Sequence, residues 1–308
     1  MTTIDLSTPT PPPSSLLDAL PRRVALTLPE LQLVAEHAGG APLPFDVAEA
    51  SEAPAFEDRL GASRGTTADV AYRDAVAALH DPAATLARRG LLVDGRLDDG
   101  LAGAVGLLAT PTFAVEIDVV VDDVQVKAWH RTSDDAVAAL ATSDGIVFEL
   151  GWFPTSAWPG ELARVGVLPE DLASRTSSVP PLVDLPYELA DAAIEAVTDS
   201  RSDLVQVLAA QHDGAVVGAD GRPLSLAEVS TLLQALASEA QGRLRVMVAD
   251  VSQEQTTVVG VRSWVLLADG WRSLRPHSDD GTSRVELRAV DAADLAADLA
   301  PVLTEVAG

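Results

Sequence analysis

Two six-residue stretches constrain the fold more than anything else in the chain. Val124-Gln-Val-Lys-Ala-Trp129 and Val259-Gly-Val-Arg-Ser-Trp264 share one form: valine, any residue, valine, a base, a small residue, tryptophan. A β-branched residue at every second position marks a strand buried on one face. Trp129 and Trp264 are therefore expected as core anchors, whereas for Trp152, Trp158 and Trp271 both core and surface are open. The neighbours repeat in the same order. Leu28-Pro29-Glu30-Leu31 resembles Leu185-Pro186-Tyr187-Glu188-Leu189, and Asp94-Gly95-Arg96 matches Asp220-Gly221-Arg222. Each of those turns precedes a helix whose leucine pair, Leu107-Leu108 or Leu232-Leu233, faces inward by spacing. Val115–Val119 aligns with Leu244–Val248, and Phe148-Glu149-Leu150 with Val285-Glu286-Leu287. Two long copies do not make a solenoid, which needs more copies at a short period. They predict an α/β (α+β) fold with a pseudo-twofold internal repeat, the strands of both halves joined in one sheet and helices over at least one of its faces.

The rest of the chain fits that plan. Residues 1–20 form a Pro/Ser/Thr-rich leader expected to lack regular structure. Residues 21–180 and 181–308 are the two halves, expected as one continuous domain. In the first half the pattern predicts a strand at Arg23–Leu28, a helix opened by Pro29 and stopped at Gly39-Gly40, and a loop from Ala41 to Thr66 with a short strand at Leu43–Val47. Helices follow at Thr67–Leu79, from Asp81-Pro82 to Gly90, and at Leu97–Ala109. Strands at Phe113–Val121, Val124–Thr132, Ala136–Ala141 and Ile146–Phe153 precede a helix at Thr155–Val165. The second half is expected to run as an extended Leu182–Leu185, helices from Pro186, Arg201 and Leu224, strands at Arg243–Val251, Thr257–Leu267, Gly270–Leu274 and Arg284–Val290, and a last helix capped by Asp291.

Composition narrows the function classes. Hydrophobic residues make up 47% of the 308, enough for a large core. The formal net charge is −25, so phosphate backbones and anionic lipid are repelled and neither nucleic acid nor membrane insertion is expected. The absence of cysteine excludes disulfides and thiolate chemistry and fits a cytoplasmic location. Lys127 is the one lysine, a bias towards arginine that fits a GC-rich bacterial genome. No secretory leader and no apolar run long enough to span a bilayer is read in the sequence.

Catalytic motifs do not survive inspection. Gly61-Ala-Ser-Arg-Gly65 fits G-x-S-x-G, but no buried strand precedes it. His37, His80, His130, His212 and His277 show no metal-ligand spacing, and no phosphate-binding glycine loop occurs. Asp122-Asp123 and Asp279-Asp280 are acidic turn pairs without the EF-hand pattern. No enzyme activity, cofactor or metal is expected.

With both halves laid out, the chain resembles the EspG family, the chaperones of mycobacterial type VII (ESX) secretion. The resemblance lies in Leu26–Leu31, Arg88–Leu97, the strand set Val115–Leu150, Trp264-Val-Leu-Leu-Ala-Asp-Gly-Trp271 and the terminal Asp/Ala/Leu helix, and covers residues 22–306. It implies a central antiparallel sheet with two helical bundles. It also implies an ATP-independent chaperone that covers the apolar tip of a PPE protein in a PE–PPE heterodimer, or of another helical type VII substrate. Free, such a protein is expected as a monomer or homodimer. The family's partner contacts come from a sheet loop and the C-terminal bundle. Carried onto this chain they fall at Val121, Asp122 and Asp123, and at Leu204, Leu208, Leu232 and Leu236. The alternatives are a scaffold that self-associates through its sheet edge, and an enzyme without a recognisable motif.

Overall fold

The computed structural model describes residues 21–45, 81–122, 124–133, 135–168, 172, 175–252 and 256–307. The leader, the expected helix at Thr67–Leu79 and the Gly61–Gly65 motif lie outside them. Leu43–Phe45 form no strand. The chain divides into two compact units. Unit 1 holds the described residues of 1–114, 128–157 and 251–254; unit 2 holds those of 115–127, 158–250 and 255–308.

Unit 1 begins with β1 (Arg22–Thr27) and α1 (Leu28–His37). Thr27 and Glu30 form a capping box that starts α1: the Glu30 amide donates to Thr27 Oγ1, and Glu30 Oε2 accepts from the Thr27 amide at 2.9 Å. Glu30 is buried, and the same carboxylate receives Arg89 Nη1 at 3.3 Å, tying α1 to the end of α2 (Pro82–Arg88). The short hairpin β2 (Leu92–Val93) and β3 (Arg96–Leu97) turns at Asp94-Gly95, both at positive φ. Sequence patterning gives Leu97 to the following helix; in fact Leu97 ends β3 and α3 spans Asp99–Ala109 behind an Asp98 cap. The strands β4 (Phe113–Val121), β5 (Val124–Ser133), β6 (Ala136–Thr142) and β7 (Val147–Pro154) fall where the alternation places them, the described residues of 115–127 in β4 and β5 belonging to unit 2. Ala136–Thr142 would suit a helix by propensity, but its flanking turns leave room only for a strand. Trp129 sits in the core of unit 1, its ring 5.2 Å from that of Phe45.

The turn before β7 is held by one carboxylate. Asp144 Oδ1 accepts the amides of Ile146 and Val147 and the Thr142 hydroxyl. Partial burial raises the pKa of Asp144, but these hydrogen bonds outweigh it and hold the carboxyl below its ordinary 3.8. A depressed folded-state pKa contributes stability that is full above the unfolded value and lost as pH falls through the folded one. Asp144→Asn is therefore expected to flatten the acid limb of the stability curve below about pH 4. Urea melts of both proteins from pH 2 to pH 6 read this out; identical slopes would refute it.

In unit 2, α4 (Trp158–Gly166) packs on the C-terminal α8 (Asp294–Ala307). Trp271 Nε1 donates to Gly166 O at 2.8 Å, and a Cβ on Gly166 would lie 3.4 Å from Ala292. β8 (Leu182–Pro186) leads into α5 (Tyr187–Thr198), then α6 (Asp203–Gln211) and α7 (Leu226–Ser238). Pro186 is expected to open the helix; it still pairs with Arg284 in the sheet and caps α5 from outside. The three helices contact one another pairwise. A two-residue β9 (Val217–Gly218), which no sequence pattern marks, pairs with β8. β10 (Gly242–Asp250), β11 (Thr257–Leu267), β12 (Gly270–Asp279) and β13 (Thr282–Val290) complete the unit. The β12–β13 hairpin runs past the expected strand ends, through Arg275–Asp279, which are exposed and carry no apolar alternation to mark them in the sequence. The positive φ of Asp280 and Gly281 closes it. Trp264, the counterpart of Trp129, is buried, and its Nε1 donates to Asp298 Oδ2 at 2.9 Å.

In unit 1 the strands hydrogen-bond in the order β1-β7-β6-β5, and in unit 2 in the order β4-β10-β11-β12-β13-β8-β9. The run β1-β7-β6-β5 has the same chain logic as β8-β13-β12-β11, so the internal repeat is a repeat of topology. Register corrects one alignment. Leu26 lies opposite Phe148, and Leu185 opposite Val285. Leu26, two residues before Leu28, thus holds the place of Leu185. The Leu-Pro pairs match as letters only, because the first falls on a helix start and the second on a strand end.

Candidate functional site

The sheet loop and the C-terminal bundle named by the family pattern both belong to unit 2, and the structure brings one to the end of the other. Asp122, exposed and at φ +50, turns the chain out of β4. Its amide donates to Gln241 O at 3.0 Å. Gln241 follows α7 by three residues, so the β4–β5 turn sits beside the C-terminal end of that helix. Gln241 is itself fixed: Nε2 donates to Leu267 O at 3.0 Å and the amide to Leu266 O. Val121 is half-buried next to Gly242. Asp123 lies outside the described residues.

Gly242 makes this approach possible. A Cβ there would stand 2.6 Å from Val120 O and 3.2 Å from Val121 Cα, both backbone atoms that cannot step aside alone. Gly242→Ala is expected to cost about 1–3 kcal/mol and to displace the β4–β5 turn. Chemical denaturation gives the cost, and amide exchange at Asp122 gives the displacement. Unchanged protection of that amide would refute the close approach.

The bundle leucines are placed unequally. Leu232 is 1% and Leu236 6% exposed, and both belong to the core of unit 2 with Val229 and Leu233. Leu204 and Leu208 are half-buried, Leu208 against that core. The apolar side chains that unit 2's helices hold out to solvent are others: Tyr187 at 53% and Ile194 on α5, Val207 at 52% on α6, and Leu226 at the start of α7. Sequence reasoning passed over them because it followed the inward stripe. The signal was an apolar residue off that stripe. On α6 the buried pair is Val205 and Ala209, and Val207 between them points away.

Several titratable residues have structural partners. His277 Nε2 meets Asp184 Oδ2 at 2.6 Å, and Arg284 Nε donates to Asp184 Oδ1 at 2.6 Å. His37 bonds Leu33 O, His130 is buried edge-on to Phe153, and His212 caps α6. His80 lies outside the described residues. Among the described residues no cluster of three or more His, Cys, Asp or Glu is placed to hold a metal ion, and no helix is long and apolar enough to cross a membrane.

No family model matches the sequence, and no curated protein matches it. Solved structures do. The chain is similar to the Mycobacterium tuberculosis type VII secretion system chaperone EspG5, solved in complex with the PE25–PPE41 dimer, with a TM-score of 0.57 over 92% of this chain and 96% of that one. The fold is EspG-like. Identity over the match is 11%, so the likeness is one of architecture: a large antiparallel sheet with helices, in the same arrangement and at nearly full length.

Proposed function

We propose that this EspG-like chain is a cytoplasmic chaperone of a type VII (ESX) secretion system, acting without catalysis. Its client is a PPE-like protein, alone or with a PE partner, or another helical substrate with an apolar tip. The observation that carries the reading is the near-complete fold match to a secretion chaperone solved with such a dimer. An exposed apolar tip drives aggregation, and covering it needs apolar side chains already held at a surface. Tyr187, Ile194, Val207 and Leu226 supply these on α5–α7, and the β4–β5 turn at Asp122 supplies a polar edge beside α7. The net charge of −25 keeps a loaded complex soluble and favours clients with basic flanks.

The test is capture of the client from native cytosol by the tagged full chain, with mass spectrometry of what is retained. A helical secretion substrate recovered in stoichiometric amount is expected. Val207→Asp should lose it while melting like the parent, because a half-exposed site tolerates the charge. Recovery of no such substrate would sink the chaperone reading.

A further inference from the structure

The dipeptide Asp-Gly occurs seven times in the chain. It is a step at which a polypeptide can rearrange covalently without an enzyme. The glycine amide nitrogen attacks the aspartyl carboxyl carbon, a C–N bond forms, and water leaves. The resulting five-membered succinimide then takes up water at either carbonyl. Opening at one carbonyl restores aspartate. Opening at the other gives isoaspartate, whose main chain runs through the side-chain carbon and is one carbon longer. Water is the only reagent released and consumed. Glycine favours the attack because no side chain shields its nitrogen. The fold has to supply three conditions: a carboxyl group able to turn, a glycine N–H that is not tied down, and a backbone with room for the extra carbon.

Six of the seven steps lack at least one condition. The Asp144 carboxylate is held by the Ile146 and Val147 amides, and the Gly145 amide donates to Thr142 Oγ1 at 2.9 Å. The Asp220 carboxylate accepts from the Arg222 amide at 3.1 Å and from Arg222 Nε at 2.6 Å, and the Gly221 amide donates to Gly218 O. Asp269 is paired with Arg272 at 2.9 Å. Asp99 and Gly100 lie in the first turn of α3, where a Cβ on Gly100 would stand 3.1 Å from the Trp152 ring. Asp94 and Asp280, at φ +50 and +44, open two-residue hairpin turns between the strand partners Val93 and Arg96 and the partners Asp279 and Thr282. An extra main-chain carbon would break those turns. Asp213-Gly214 differs. Both residues are exposed, and neither the Asp213 carboxylate nor the Gly214 amide makes a hydrogen bond among the described residues. One bond closes the turn around them, from the Ala215 amide to His212 O at 3.0 Å. The turn joins α6 to β9, which is held to β8 at only two register positions, so an added carbon disturbs little. We propose that Asp213-Gly214 is a modification site at which the folded chain acquires isoaspartate. The inference does not depend on the chaperone reading.

The test is incubation of the full, folded chain for several weeks at neutral pH in heavy-oxygen water, followed by digestion in ordinary water and peptide mass spectrometry. Each passage through the ring adds one heavy oxygen at the aspartate, and the isoaspartyl peptide elutes apart from its aspartyl twin. Asp213 is expected to carry at least about tenfold more label than any other Asp-Gly step, equal to about 1.4 kcal/mol in barrier. The same incubation in urea should bring all seven steps to comparable labelling. Asp213→Glu should lose the label at that position, because its ring would need six members. It should also melt like the parent, since the exposed carboxylate has no bond to lose. Label at Asp213 no higher than at Asp94 or Asp280 overturns the proposal, because the fold would then not single the step out. The same excess of Asp213 in urea also overturns it, because local sequence would then make the selection.

Discussion

Replacing Leu232 by aspartate is expected to unfold unit 2. Leu232 is 1% exposed and packs with Val229, Leu233 and Leu236 of its own helix and with the inward residues of β8 and α5. Losing such a leucine costs about 2–5 kcal/mol from packing alone, and an unpaired carboxylate in its place adds several more. The total approaches the whole stability of an ordinary domain, about 5–15 kcal/mol. Thermal and urea melts followed by circular dichroism test it. A variant that melts within about 1 kcal/mol of the parent would mean that the α7 stripe is not the core. Loss of client binding in Leu232→Asp would therefore report a lost fold. The informative pair for function is Val207→Asp with Tyr187→Ala, both at exposed positions where stability should change by about 0.5 kcal/mol or less.

Asp298→Ala is expected to release α8 from the sheet. The carboxylate is buried and takes two donors: Trp264 Nε1 on Oδ2 at 2.9 Å and Arg275 Nη2 on Oδ1 at 2.7 Å. Arg262 Nε donates to the backbone oxygen of the same residue. Removing the side chain strands a buried indole N–H, worth about 1–3 kcal/mol. Arg275 is nearly half exposed, so solvent screens its share and it adds little. A loss of about 2–3 kcal/mol is expected, with a red shift of tryptophan emission as Trp264 meets water. Asp298→Asn keeps an acceptor for the indole and should recover most of the loss. Equal loss in both variants would show that the charge, not the hydrogen bond, holds the helix.

The two tryptophans show how far patterning reaches. Val124–Trp129 and Val259–Trp264 announced two equivalent strands, and both side chains are core, as alternation requires. What covers each was not legible. Trp129 meets Phe45, and Trp264 meets Trp271 and Asp298. Phe45 and Asp298 are distant in sequence and Trp271 lies on the next strand, and a local period carries no information about any of them. The β12–β13 extension and β9 escaped for a related reason. Their residues are exposed or half-buried, so no apolar period marks them, and hydrogen bonds to neighbouring strands alone make them strands.

The candidate surface divides in the same way. The sequence determined that α5, α6 and α7 are amphipathic, that a tight acidic turn joins β4 to β5, and that no catalytic constellation is spelled out along the chain. It could not say which leucines remain available. Leu232 and Leu236 obey the 3.6-residue period that buries a helix face, so the regularity that makes them conspicuous also places them inside. Only the tertiary structure set the turn against the end of α7 through Gly242 and Gln241. Only it buried Arg272 and tied its guanidinium to Asp269 and to the distant Val179 carbonyl. Local periodicity fixes which side of an element is apolar. Which residues meet across elements depends on register and packing, and those exist only once the chain has folded.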